Sequence, residues 1–263
     1  VAIEHLLGAL IFLPFLFRST SKIKRLDRKG WISIFWVSIC GGLLGTYFYT
    51  KALGYVNYID LSVVVLIQKL QPLFAISLAS IVLREKVSKS FIFLASTAIL
   101  GGYLTTFGNK PFLFLDNKSI IASLFALLAS FCWGSSTVLG KAALKQIPFE
   151  LMTCIRLIVT GTVALLIITS SGNISDIYSL SIENYKTIIV IVFTSGSIAL
   201  SIYYYGLQNL AASHTTIYEL VWPLSAVLID WLIRGKTLSL AQMIGAIILV
   251  SSITILTKEN SSE

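Results

Sequence analysis

QKLQPLFAISLASIVLREKVS, residues 68–88, returns 151 positions later as ELVWPLSAVLIDWLIRGKTLS, residues 219–239. Pro72 falls on Pro223, Leu73 on Leu224, Ala75 on Ala226 and Ser88 on Ser239. Single identities of this kind are weak, and their setting makes them informative. Each proline lies in an apolar stretch that ends in a short basic turn and is followed by one more apolar stretch. Upstream, Lys51-Ala52-Leu53 corresponds to Tyr205-Gly206-Leu207, each beside aromatic residues (Tyr47, Phe48, Tyr49 and Tyr203, Tyr204, Tyr205). The chain therefore repeats, and the repeated unit is a set of apolar helices.

Hydrophobic residues make up 56% of the 263 and charged residues only 12%, about half the charged share of a soluble domain. Uninterrupted apolar stretches cover about 1–17, 31–52, 60–83, 90–108, 118–144, 148–170, 184–208, 214–233 and 240–257. Most reach the roughly 17–25 residues a spanning helix needs. The pattern predicts an all-α membrane protein. The second half holds five such stretches from 118 onward, whereas the first holds four, the first of them corresponding to 148–170. One N-terminal helix is thus expected to be missing, with ten in the complete protein. The two repeats are 1–110, lacking its first helix, and 117–258. An odd number of helices per half forces the halves into opposite orientations, the inverted arrangement common in secondary transporters.

The net charge of +8 does not indicate nucleic acid, because the basic residues fall in short runs between apolar stretches. That distribution sets membrane orientation. Twelve of the 20 Lys and Arg residues lie on the side of loop 18–30, six on the other side and two within helices. The expected placement is a bacterial inner membrane with a cytoplasmic C-terminus. Cys40, Cys132 and Cys154 all lie in apolar stretches with no CxxC or Cys/His spacing, so they are expected to be small buried hydrophobes. With two histidines and no HExxH, no catalytic or metal cluster is expected, and no GxxxxGK[ST] loop offers an ATP site. No cofactor and no enzymatic activity are expected.

The chain resembles the EamA-type members of the drug/metabolite transporter superfamily. The residues that carry the resemblance are Ala52-Leu53…Pro72 and Gly206-Leu207…Pro223, the acidic turn Leu83-Arg84-Glu85-Lys86-Val87-Ser88, and its second copy Gly235-Lys236-Thr237-Leu238-Ser239…Gln242…Gly245. Ser135-Ser136-Thr137-Val138…Lys141, then Pro148 and Arg156-Leu157, is similar to the opening of a second such repeat. Lys236 stands where the family usually has Glu, and Glu4-His5 where an Arg is frequent, whereas Arg156 keeps it. The resemblance implies two inverted five-helix halves around a central cavity, working by alternating access.

An ionisable group inside a spanning helix costs roughly 2.5–3.5 kcal/mol, so it is kept where it meets water, a partner or a ligand. Lys69, Arg156, Glu219 and the pair Glu4-His5 are the candidates. At about 100° per residue, Thr215, Thr216, Glu219, Pro223, Ala226 and Asp230 share one face of helix 214–233, as Gln68, Pro72, Ala75 and Ala79 do on helix 60–83. A proline removes the bond to the carbonyl four residues earlier, which would free the carbonyls of Gln68 and Glu219. Lys69 and Glu219 are expected to face one cavity, either as an ion pair or as two poles for a zwitterion. Arg156 either faces that cavity or reaches the cytoplasmic surface. Tyr49, Tyr203 and Trp222 are expected at the cavity wall or in interfacial belts. Gly41-xxx-Gly45 and Ser136-xxx-Gly140 would permit close helix contact.

The substrate-binding set is therefore Gln68, Lys69, Pro72, Glu219, Trp222, Pro223, Tyr49, Tyr203 and Arg156. The expected function is secondary transport of a small metabolite, an amino acid or related compound, in the export direction. Uptake or drug efflux is the alternative, and a channel or intramembrane enzyme the alternative of another class. The expected partners are the solute and the lipid bilayer, with a coupling ion or proton and a second copy of the chain left open.

Overall fold

The computed structural model describes residues 1–55, 61–108, 117–233, 235, 237 and 239–260. Among the described residues every regular element is a helix. In chain order, α1 is Ala2–Arg18 and α2 is Thr20–Ile23. α3 (Arg28–Trp36) runs through a π-helix at Val37–Leu44 into α4 (Gly45–Leu53). α5 (Leu61–Gln68) is followed by α6 (Gln71–Leu78), which ends in a second π-helix at Ala79–Leu83. Then come α7 (Lys89–Phe107), α8 (Asn117–Leu144), α9 (Phe149–Ser170), α10 (Ser175–Tyr178), α11 (Ile182–Phe193), α12 (Ser197–Asn209), α13 (Ala212–Tyr218), α14 (Val221–Leu232) and α15 (Leu240–Asn260). Among the described residues, five helical stretches are long and apolar enough to cross a membrane: Arg28–Leu53, Lys118–Leu144, Phe149–Ser170, Ile182–Asn209 and Leu240–Lys258.

The polar turns between apolar stretches supply the caps that start the helices. Asp27 accepts a 2.6 Å bond from the Gly30 N–H at the head of α3, and Ser88 accepts from the Phe91 N–H at the head of α7. Ser181 does the same for Asn184 at the head of α11. The Gly30 N–H, with help from the Gln146 amide, holds the Asp27 carboxyl below the usual aspartate range.

The chain forms two compact units, Val1–Thr46 with Ser135–Leu210 and Tyr47–Gly134 with Ala211–Glu263. Each unit combines chain from before and after the expected repeat junction, which lies, with residues 109–116, outside the described residues. In the first unit α1 lies along α9, burying Ala9, Phe12, Cys154 and Leu157. In the second, α7 lies along α15, and Ile217 and Leu220 are buried with Phe91, Leu94, Ala98 and Leu249. A second cluster there joins Ala52, Val64, Ile67, Ala122 and Ala126. Cys40, Cys132 and Cys154 are all buried.

Three stretches expected to be unbroken are interrupted. Helix 60–83 breaks at Lys69-Leu70, helix 214–233 at Glu219-Leu220, and helix 184–208 at Thr194–Gly196. The first two breaks follow from the prolines. Pro72 is the second residue of α6 and Pro223 the third of α14, positions where a missing N–H costs nothing because a helix start leaves it unpaired anyway. Each proline therefore opens a new helix instead of bending an old one. The carbonyl of Glu219, expected to be freed, accepts the Trp222 N–H at 3.1 Å. The continuous helical face expected through Glu219 and Asp230 is accordingly divided between α13 and α14. The third break has no proline. It falls on Thr194-Ser195-Gly196-Ser197, residues that compete for backbone hydrogen bonds or tolerate unusual dihedrals.

The acidic turn has a structural task in the second unit. Arg84, with φ 56°, ends the second π-helix in the left-handed region, which turns Glu85 toward α13. The N-cap of α13, Ala211, offers no side-chain bond. Glu85 supplies it instead, accepting from the N–H of Ala212 (2.8 Å), the N–H of Ser213 (3.0 Å) and the Ser213 hydroxyl (2.7 Å). Lys236, at the corresponding turn of the second copy, lies outside the described residues. Glu85→Ala removes a charged acceptor from a helix start, which is expected to cost about 1–3 kcal/mol. The measurement is denaturant unfolding of the purified protein in micelles, and an unchanged midpoint would remove this role.

Candidate functional site

The two proline-generated breaks meet in the second unit. Ile67, buried in its cluster, fixes the end of α5 just before Gln68 and Lys69. Ile217 and Leu220, buried against α7 and α15, fix the break that carries Glu219. Lys69 and Glu219 are each the first residue of their break. That is why the two charges are equivalent in the structure although the sequence match sets them one position apart.

The residues immediately before the two prolines are Gln71 and Trp222. Each contacts the charged residue of the other break. Gln71 Nε2 donates to Glu219 Oε2 at 2.6 Å, and the Lys69 ammonium rests 4.4 Å from the centroid of the Trp222 ring. Glu219 also attracts the Lys69 charge. Gln68 extends the polar chain, its Nε2 donating to Gln71 Oε1 at 3.1 Å. The polarity of this chain follows from its end: an ionised carboxylate only accepts, so Gln71 turns its amide nitrogen to Glu219 and its oxygen to Gln68. Gln68 and Gln71 are buried, at 6% and 8% exposure, whereas Trp222 is 56% exposed. The result is a buried amide–carboxylate chain beside an open indole face held under a cation.

α6 is brought close to α8 at Gly134. A Cβ there would stand 2.8 Å from the Gln71 carbonyl oxygen, 3.1 Å from Phe74 Cβ and 3.2 Å from the Ala75 nitrogen. Tyr49, on α4, packs on the cluster around Ile67 and has its ring 5.4 Å from Trp133. Of the expected set, Gln68, Lys69, Pro72, Glu219, Trp222 and Tyr49 are thus gathered in the second unit. Pro223 stands on α14 there, and its side chain lies outside the described residues.

Tyr203 and Arg156 belong to the first unit. The Tyr203 hydroxyl pairs with Thr137 Oγ1 at 2.9 Å. Arg156 does not run to the surface: its Nη1 donates to the Tyr204 hydroxyl at 2.6 Å, and Tyr204 is 1% exposed. Glu4 and His5 pair at 3.5 Å, and Glu4 borders a cavity of about 370 Å³ that also touches Ile168, Asn173 and Ile177. Gly41 is pressed on Ser136, whose Oγ would be 2.7 Å from an added Cβ, so the small-residue pattern does bring helices close. The sequence passed over Gln71 and the Arg156–Tyr204 bond, and marked Glu85 only as part of the acidic turn. A signal for Gln71 did exist, since it occupies the pre-proline register of Trp222.

Compared with known proteins, the chain matches the model of the EamA-like transporter family over residues 1–107 and again over 120–258. The chain belongs to the EamA-like transporter family. Its relatives there include the riboflavin transporter ImpX of Fusobacterium nucleatum, 39% identical over 263 residues, covering 99% of this chain and 88% of that protein. An uncharacterized transporter, sll1164, of Synechocystis is 27% identical, covering 87% of this chain and 66% of that protein. Another from Clostridium kluyveri is 22% identical, covering 94% and 79%. A crystal structure superposes with a TM-score of 0.72 at 14% identity, covering 98% of this chain and 86% of that one, a likeness of fold alone. This EamA protein is accordingly an integral membrane transporter of small molecules.

Proposed function

We propose that this EamA protein moves riboflavin, or a flat heteroaromatic solute of the same chemistry, across the bacterial plasma membrane. The observation that carries this is the 39% identity, over nearly the whole chain, with a riboflavin transporter. The site chemistry supports it. A flavin ring presents a broad π-face and an edge of alternating carbonyl acceptors and an N–H donor. The open indole of Trp222 suits the face, and the Gln68–Gln71–Glu219 chain with the Lys69 ammonium suits the edge. Gln68, Lys69, Glu219 and Trp222 are the proposed contacts, Pro72 and Pro223 set the breaks that present them, and Tyr49 forms the wall beside Ile67. Tyr203 is proposed to line the path in the first unit. Alternating access by an inverted pair of five-helix halves, with the C-terminus cytoplasmic and an ion or proton gradient as drive, completes the proposal.

An amino acid is the second reading. One observation favours it: Lys69 and Glu219 offer opposite charges on matched breaks, two poles for a zwitterion. Flux of labelled riboflavin and of labelled amino acids in proteoliposomes separates the two cargoes. Entry into empty vesicles against exit from loaded ones separates uptake from the export first expected. Trp222→Ala is expected to reduce riboflavin flux about two- to twelve-fold, the loss of one stacked aromatic contact of about 0.5–1.5 kcal/mol. Unchanged riboflavin flux in that variant would remove Trp222 from the site.

A further inference from the structure

Arg156 is the eighth residue of α9, a membrane-crossing helix, and its guanidinium stays charged at any physiological pH. Such a charge inside a span is kept where something neutralises it. Among the described residues no carboxylate forms an ion pair with it. Among the described residues its one bond of hydrogen-bond length goes to a neutral phenol, the buried Tyr204 hydroxyl, whose ring lies 5.6 Å from the guanidinium carbon. The Nε–H is buried, with no hydrogen-bond partner among the described residues. A guanidinium has five donors, so most of its fork is uncommitted to protein acceptors.

The wall opposite this fork is built for close approach. The π-helix Val37–Leu44 places Gly41 against it, and a Cβ at Gly41 would stand 3.4 Å from Arg156 Nη2 and 2.7 Å from Ser136 Oγ. The widened backbone is held by Thr160, whose hydroxyl donates to the Ser38 carbonyl at 2.8 Å. π-Helical turns inside α-helices occur frequently at functional sites. The guanidinium, the Ser136 hydroxyl and the Tyr204 hydroxyl therefore converge around a backbone stripped of side chain. Planar, bidentate donors with hydroxyls at hand are the chemistry of oxyanion recognition.

We propose that the first unit holds an oxyanion site centred on Arg156, which takes a carboxylate or phosphate oxygen on the guanidinium donors that Tyr204 leaves uncommitted. Tyr204 is a positioning residue that orients the guanidinium. The site is independent of the flavin assignment and stands or falls without any flavin present.

The test uses the full chain purified in micelles, with its thermal midpoint followed in sodium acetate, sodium phosphate and sodium chloride at matched ionic strength. Ligand that binds the folded state raises the midpoint with concentration, and general salt stabilisation is common to all variants. The readout is the oxyanion-specific rise of the wild type minus that of Arg156→Gln. A difference corresponding to about ten-fold weaker binding in the variant is expected, the loss of a charged hydrogen bond. The acetate and phosphate arms tell a carboxylate site from a phosphate site. Tyr204→Phe, which keeps the guanidinium but removes the hydroxyl that orients it, is expected to give a rise smaller than that of the wild type and larger than that of Arg156→Gln, and an undiminished rise in it removes the positioning role. Equal rises in wild type and Arg156→Gln overturn the proposal. Should Arg156→Gln give no cooperative melt, Arg156→Lys is read in its place: it keeps a charge without the fork, and an undiminished oxyanion rise in it overturns the site equally.

Discussion

Glu219→Gln lowers riboflavin flux into proteoliposomes by about ten- to a hundred-fold, the expected loss when a hydrogen-bonded charge worth 1.5–3 kcal/mol is neutralised. The substitution is chosen to spare the fold. A glutamine at 219 still offers a carbonyl oxygen to Gln71 Nε2, which donates to Glu219 at 2.6 Å, and Leu220 beside it stays anchored in its cluster. What is lost is the negative charge that balances Lys69. Lys69→Met is expected to do comparable harm from the other side, leaving the carboxylate unbalanced next to buried amides. The sharper expectation concerns the double variant. One uncompensated charge in a poorly solvated place is worse than none, so Lys69→Met with Glu219→Gln should lose less than the sum of the two single losses. A double-mutant cycle on flux measures that coupling. Strict additivity would mean that the charges act separately, and normal flux in both single variants would remove the pair from the site.

The breaks show what was legible in the sequence and what was not. Helix positions were legible because membrane spans are apolar runs of set length, and expected ends such as 118–144 and 148–170 fall within one residue of α8 and α9. The membrane class and the transporter family were legible for the same reason, together with the spacing of Pro72 and Pro223. The prolines mark where the breaks fall, but an isolated proline does not reveal that it opens a new helix, as Pro72 and Pro223 do in α6 and α14. A proline four residues past a polar side chain can kink a helix or start one, and the choice depends on whether flanking residues are anchored. Ile67 and Leu220 provide that anchoring through contacts far away in sequence. Glu85 was visible only as part of a turn, because the Ala212 N–H that it satisfies at the start of α13 comes 127 residues later. Arg156 was recognised as a costly charge, while its direction depended on Tyr204, 48 residues away. The π-helix at Val37–Leu44 leaves no mark in an apolar periodicity that is hydrophobic on nearly every side.

Gly134→Ala is expected to destabilise the protein by about 1–3 kcal/mol, the usual cost of overpacking a tight contact, and to impair transport with it. An alanine is ordinarily welcome in a helix, where it gains up to about 1 kcal/mol over glycine. At 134 that gain is overridden, because the new methyl would meet the Gln71 carbonyl oxygen at 2.8 Å and the Ala75 nitrogen at 3.2 Å. Both are backbone atoms of the first five residues of α6, so no rotamer change relieves the clash. That segment itself must move, and it carries the amide that donates to Glu219. Gly206→Ala provides the contrast, since among the described residues nothing lies within 4 Å of a Cβ built there. That change is expected to stabilise by about 0.4–1 kcal/mol and to leave flux alone. Thermal midpoints and riboflavin flux of the two variants, measured side by side, separate a general dislike of substituted helix glycines from a specific need for close approach at α6. If Gly134→Ala proved as stable and as active as Gly206→Ala, α6 would not depend on α8 for its place, and the alignment of Gln71 with Glu219 would need another cause.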